Sequence, residues 1–285
     1  MTDASIKHVS DTAIWVAYFR AEETKRHDAL FKDPFAEKLI GARGEAIAKS
    51  MPATSEYTRQ NVVIRTYIID TFIRELVASG VDTVINLGAG LDTRPYRMSL
   101  PASVRWVEVD YPHVIEMKSS ILASELPSVS LERVSLDLAD KDTRRTLFSR
   151  LASQSKRAVV LTEGVLPYLT PEDVSSLAAD LHAETRFESW ICDYMSPETY
   201  KYLANPKRME RMKNAPFRFF PPNPFEFFTS LGWSCSEIRY IQKTTEDLGR
   251  PSPLPWFARL MKPFFPPAVR ERLSKMSGYM ILRRV

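Results

Sequence analysis

A chain of 285 residues, 44% hydrophobic and 26% charged, has the make-up of an ordinary soluble globular protein, and its length favours one elaborated domain over two. Its two cysteines, Cys192 and Cys235, are too few for a disulfide framework or a zinc cluster and fit a reducing, cytoplasmic setting; the chain has no apolar run of membrane-spanning length and no secretory leader pattern. The formal charge of +4 is mild but uneven: residues 201–220 carry six basic side chains against Glu210, and residues 251–285 carry seven against Glu271. That bias reads as a solvated surface or as an attraction for an anionic substrate or partner, and no nucleic-acid-binding motif goes with it.

In chain order, the N-terminal region reads as helical. Ile14, Ala17, Tyr18 and Ala21 recur at helical spacing. Asp33-Pro34 has the form of a helix start, with the aspartate capping and the proline in the first turn. A long helix is expected over 58–79, stopped by Gly80. From Val81 the pattern changes to short apolar runs at 83–87, 104–109, 130–136, 157–162 and 187–192, separated by helical stretches. Such runs predict a doubly wound α/β fold with a parallel sheet covered on both faces. Two late strands are expected at 234–241 and 279–283. Between the fifth and sixth strands, residues 196–232 hold Pro216-Phe217-Arg218-Phe219-Phe220-Pro221-Pro222 and Phe225-Glu226-Phe227-Phe228. This insertion is too aromatic for a free linker. It is expected as a lid over the ligand crevice or as satellite core, and the same alternatives hold for 251–267. The single domain thus divides into a helical cap (1–80), a ligand-binding core (81–195), the insertion (196–232) and C-terminal strands and helix (233–285).

The chemistry begins where the first strand runs into Gly88-Ala89-Gly90, a turn that lets the backbone approach a nucleotide closely. A dinucleotide fingerprint wants a third glycine at position 93, where this chain has Thr93. A pyrophosphate on the following helix would also face the anionic Asp92. A ligand without phosphate at this point, such as S-adenosylmethionine, is expected instead. The second strand ends in Glu108-Val109-Asp110, and Asp110 is placed to accept from both ribose hydroxyls, with Glu108 on the same strand face as the fallback. The third strand ends in Leu136-Asp137-Leu138. There Asp137 either accepts from the adenine amine, with Leu138 against the ring, or caps the next helix. Arg65 falls in the middle of the apolar stripe formed by Val62, Ile64, Ile68, Ile69, Phe72, Ile73 and Leu76. A guanidinium there demands an anion, either a protein carboxylate or the carboxylate of the ligand's amino acid part. The glycines frame no G-x-S-x-G elbow, a P-loop is absent, and His8, His27, His113 and His182 offer no metal spacing.

Three segments, Leu87-Gly88-Ala89-Gly90-Leu91-Asp92-Thr93-Arg94-Pro95-Tyr96-Arg97, Glu108-Val109-Asp110-Tyr111-Pro112 and Thr162-Glu163-Gly164-Val165-Leu166-Pro167-Tyr168-Leu169, together resemble the leucine carboxyl methyltransferase family. That family includes the protein phosphatase 2A enzymes and bacterial polyketide carboxyl methyltransferases of the tetracenomycin type, and the short N-terminus and Leu-Asp-Thr-Arg motif look closer to the bacterial branch. The resemblance implies the class I methyltransferase fold, a Rossmann-like sheet with an added C-terminal hairpin, and S-adenosylmethionine as cofactor. By residue, it implies Gly88, in the Gly88-Ala89-Gly90 turn, under the cofactor's amino acid part. It puts Asp110 on the ribose, Asp137 and Leu138 on the adenine, Arg65 on the carboxylate and Glu163 near the amino group. Arg20 matches an N-terminal basic residue that also reaches the carboxylate.

The activity expected from this resemblance is methylation of a carboxylate on a small molecule or peptide. Such an acceptor is already ionised at neutral pH and needs alignment and desolvation rather than a base. A phenol would need one, and His113 is the histidine nearest the expected crevice, although a capping or surface role explains it as simply. A hydroxyl O-methyltransferase of a polyketide-like metabolite and a non-catalytic cofactor-binding scaffold are the competing expectations.

Overall fold

The computed structural model describes residues 9–49, 55–203, 216–251 and 264–285. Three helices precede the sheet: α1 (Val9–Thr24), α2 (Pro34–Lys49) and α3 (Ser55–Ala78). Asp33 caps α2 as expected, its Oδ1 accepting from Ala36 N at 3.1 Å. The predicted stripe of α3 is buried, with Ile64, Ile68, Ile69, Phe72 and Ile73 each at most 1% exposed. Gly80, at φ +100°, follows the end of that helix.

The strands are β1 (Thr83–Leu87), β2 (Arg105–Asp110), β3 (Ser130–Ser135), β4 (Ala158–Thr162), β5 (Phe187–Met195), β6 (Trp233–Tyr240) and β7 (Ser277–Arg284). They form one sheet in the order β3-β2-β1-β4-β5-β7-β6. The first five run parallel, and β7 lies antiparallel between β5 and β6. Helices α4 (Arg94–Arg97), α5 (Pro112–Ile121), α6 (Lys141–Ser153) and α7 (Pro171–Ala183) fall between the parallel strands. Every position of β1 and β4 is buried, as a parallel sheet covered on both faces requires. One core packs Phe148, Leu151, Val174, Leu177 and Trp190 on one face. A second packs the α3 stripe with Trp106 and Val159 on the other. The chain order reverses between β1 and β4, so the loops leaving these two strands diverge and open a crevice at their carboxyl ends.

In the C-terminal part, after α8 (Pro197–Leu203) and α9 (Pro224–Thr229), the two late strands β6 and β7 form the expected antiparallel pair, with helices α10 (Ile241–Asp247) and α11 (Pro267–Ser274) between them. Of the two readings of the aromatic insertion, core holds for Phe219 and Phe228, while Phe217 packs against Tyr168 on the crevice side at 5.1 Å. Phe219 and Phe228 are 4% and 1% exposed. Phe228 meets Trp190 edge-on at 5.4 Å, and Trp190 meets Trp233 at 5.6 Å. Rings without polar partners gain more from this burial than from facing a polar crevice. Residues 204–215, and with them the centre of the expected lid, lie outside the described residues, as do 252–263. Among the described residues no helix is long and apolar enough to cross a membrane.

Candidate functional site

The crevice holds a cavity of about 300 Å³, walled by the loops after β1, β2, β3 and β4 and by side chains of α1 and α3. The β1 loop is pinned to the next strand: Gly88 N and Ala89 N both donate to Val109 O, at 2.8 and 3.2 Å. Gly88 and Gly90 take φ of +69° and +48°, a conformation that side-chain-bearing residues rarely adopt. A Cβ on Gly88 would sit 2.5 Å from Val165 Cγ2, so the glycine is demanded by protein packing as well as by any ligand. Gly88→Ala is expected to cost roughly 1–3 kcal/mol of stability through strain and clash. Thermal denaturation would measure it, with Val165→Ala in the same chain restoring only the clash component.

Asp110 ends β2 facing the cavity. Its Oδ2 accepts from Gly90 N at 2.6 Å and its Oδ1 from Tyr111 N at 2.7 Å. The carboxylate is thereby aimed, with lone pairs left for two hydroxyls. The fallback, Glu108, is excluded as a ligand group. It is fully buried, with Lys118 Nζ at 2.7 Å and Arg133 Nε at 3.0 Å. Leu138 lines the cavity with Leu136, Val114 and Met117. Asp137 does not: it is exposed and its Oδ1 accepts from Ala139 N at 2.9 Å. Nor does it cap the next helix, a role taken by Asp140. His113 also lies off the cavity wall, exposed and stacked on Tyr111 at 5.8 Å.

The other end of the cavity is ionic. Arg65 Nε lies 2.9 Å from Glu163 Oε1, and Arg94 Nη1 lies 2.8 Å from Glu163 Oε2. Of the two anions that the sequence left open for Arg65, the protein carboxylate is therefore present, and it is Glu163. Arg94 is 1% exposed and also binds Asp92 at 2.8 Å and Asp70 at 2.7 Å. Arg97 binds Asp70 at 2.6 Å. On α1, Arg20 pairs with Asp33 at 3.2 Å and donates to Leu91 O at 2.5 Å. Burial pushes Glu163 up, but the guanidinium groups of Arg94 and Arg65 outweigh it and hold the carboxyl below its ordinary range. The same balance of burial against Arg94 keeps Asp92 ionised. Asp92 is therefore not the bare, phosphate-repelling anion read from the sequence. Its charge is met by Arg94, and Asn86 Nδ2 donates to it at 2.8 Å.

Two guanidinium nitrogens at this end lack an aligned acceptor. Arg65 Nε and Arg20 Nε are buried, and although each has a carboxylate oxygen nearby, neither N–H is aligned to donate to it. Both arginines line the cavity and lend this end positive charge. Gly88, Ala89, Gly90, Asp110, Leu138, Glu163, Arg65 and Arg20 are thus brought to one cavity, and Asp137 and His113 are not. The sequence reading missed Tyr111, Met117, Tyr168 and Leu169 as wall residues and Arg94 as the ionic hub. Tyr111 and Arg94 stand inside the quoted segments, and their proximity to Asp110 and Asp92 was the available signal.

A family model described as leucine carboxyl methyltransferase matches residues 13–182, the stretch from α1 through α7 that carries this cavity. The chain belongs to the leucine carboxyl methyltransferase family. Two relatives carry the name "Putative S-adenosyl-L-methionine-dependent methyltransferase". One, from Frankia alni, is 29% identical over 263 residues, covering 86% of this chain and 90% of its own. The other, from Streptomyces coelicolor, is 37% identical over 177 residues, covering 58% and 61%. A crystal structure of a DUF574 family protein from Streptomyces avermitilis shares the fold, with a TM-score of 0.56 at 14% identity over 94% of this chain and 97% of that one. The family match ends at the last turn of α7, so β5, the insertion and the C-terminal strands lie beyond it.

Proposed function

We propose that the protein is an S-adenosylmethionine-dependent O-methyltransferase that converts a carboxylate of a small molecule or peptide into its methyl ester in the cytoplasm. Family membership and the names of the relatives support the donor. The cavity offers a partner to each part of it: Asp110 for the ribose, Leu136 and Leu138 for the adenine, and Arg65, Arg20 and Glu163 for the amino acid end. Bound S-adenosylmethionine supplies an electrophilic methyl group on a sulfonium. The chain's part is to hold both partners in line and to exclude water.

One observation carries the choice of a carboxylate acceptor. Among the described residues, Glu163 and Asp92 on the cavity wall are held as anions, chiefly by Arg94. Carboxylates held below their ordinary range, as these two are, are poor proton acceptors for a phenol or alcohol. A carboxylate has no proton to give up. The remaining wall, with Ala13, Val16, Val165 and Leu169, is apolar and suits desolvation of such an anion. Incubation with methyl-labelled donor and a panel of carboxylic acids should yield product that releases labelled methanol in mild alkali. An alkali-stable ether from a phenol panel, with no ester, would overturn the carboxyl assignment.

A further inference from the structure

Beyond the family match, β5 and β7 place a half-buried acid behind the ionic end of the cavity. Asp193 and Tyr279 are paired across the antiparallel ladder, and the Tyr279 phenol donates to Asp193 Oδ1 at 2.9 Å. Asp193 Oδ2 accepts from Gly164 N at 3.0 Å. Gly164 follows Glu163, at φ +68°, and a Cβ there would lie 4.0 Å from Arg65 Nη1. Glu163, Gly164 and Arg65 line the cavity, and Asp193 does not. The acid therefore grips, from outside the cavity, the turn that presents Glu163 to Arg65.

We propose that Asp193 is a positioning residue for the cofactor: its carboxylate form holds the Glu163–Gly164 turn, and with it the Arg65–Glu163 pair, in the arrangement that receives the cofactor's amino acid end. This rests on the S-adenosylmethionine reading above. A carboxylate accepts from Gly164 N and from Tyr279 at once, whereas a protonated one must spend an oxygen as a donor. The groups facing it are Tyr279 from β7, Arg65 from α3, Glu163 and the Gly164 N–H from the turn after β4, Tyr200 from α8, and Cys192 on its own strand. Burial, helped by the Glu163 charge, outweighs the opposing pull of Tyr279, Arg65 and the Gly164 N–H and leaves Asp193 raised to about 6. Loss of the grip is therefore expected as the pH falls through that value.

The test is titration of the intact protein with S-adenosylhomocysteine, read calorimetrically from about pH 8 down to about pH 5. Wild-type affinity should fall several-fold as the pH drops through the Asp193 range. Asp193→Asn should bind several-fold more weakly at the alkaline end and show a flat profile. Tyr279→Phe, which removes a donor to the carboxylate, should move the midpoint upward. A structural role alone would shift melting temperature and leave the midpoint in place. His113→Gln should keep the wild-type profile. An Asp193→Asn protein with wild-type affinity and pH dependence, or a His113→Gln protein with a flat profile, would overturn the proposal. A wild-type protein that bound no S-adenosylhomocysteine at any pH would overturn the donor assignment and this proposal together.

Discussion

Arg94→Leu is expected to destabilise the fold by about 3–5 kcal/mol, the cost of removing one partner from a buried ionic network. Arg94 serves Asp70, Asp92 and Glu163 at once, so its loss leaves three buried carboxylates short of a counter-charge. A chain of this size loses roughly 2–4 °C of melting temperature per kcal/mol, which predicts a drop on the order of 10 °C. The pH dependence is the sharper signature. In the wild type, burial pushes all three acids up, but the arginines prevail and hold them below their ordinary range. Their contribution is therefore complete above the unfolded carboxyl range near pH 4 and is lost as the pH falls through their lower folded values. In Arg94→Leu burial is left less opposed and the folded values rise. Stability should then increase as the pH is lowered from neutrality toward about 5. Chemical denaturation across this range would measure both slopes. A variant with a wild-type slope and midpoint would remove Arg94 from its place as the hub.

Asp110→Ala should weaken S-adenosylhomocysteine binding by about 100-fold. Two hydrogen bonds to an ionised acceptor are at stake, each worth roughly 1.5–3 kcal/mol, with part of that loss offset by water. The substitution also releases Gly90 N and Tyr111 N, which the same carboxylate now accepts, so the glycine turn loses its anchor. Asp110→Asn keeps one acceptor oxygen and should fall between the two. Calorimetric titration would measure the series, and an alanine variant that bound like the wild type would displace Asp110 from the site.

Much of the site was legible before the fold was known, because its signals are local. Strand, glycine turn and acid occur in fixed order. The spacing from Gly90 to Asp110 is one strand-turn-helix crossover, and Arg65 stood out against its stripe by helical period alone. Asp137 was less legible. An acid at a strand end has the same local signature whether it faces a ligand or turns to a nearby backbone N–H, as Asp137 does to Ala139 N. The aromatic insertion stayed open between lid and satellite core because composition records that rings must be buried and does not say against what. Phe219 and Phe228 found Trp190 and Trp233.

The sequence by itself determined the layer architecture, the strand boundaries to within a few residues, the glycine turn after the first strand and the need of Arg65 for an anion. Those properties follow from hydrophobic period, turn chemistry and capping, each set by residues within one element. The tertiary structure decided which charge meets which. Arg65 turned to Glu163 rather than leaving its charge to a ligand alone, Arg94 gathered three acids from α3, the β1 loop and the end of β4, and Glu108 was withdrawn into a pair with Lys118. A buried ion accepts whatever counter-charge the packed elements bring within reach, and that is settled only when the sheet order and the helix faces are in place.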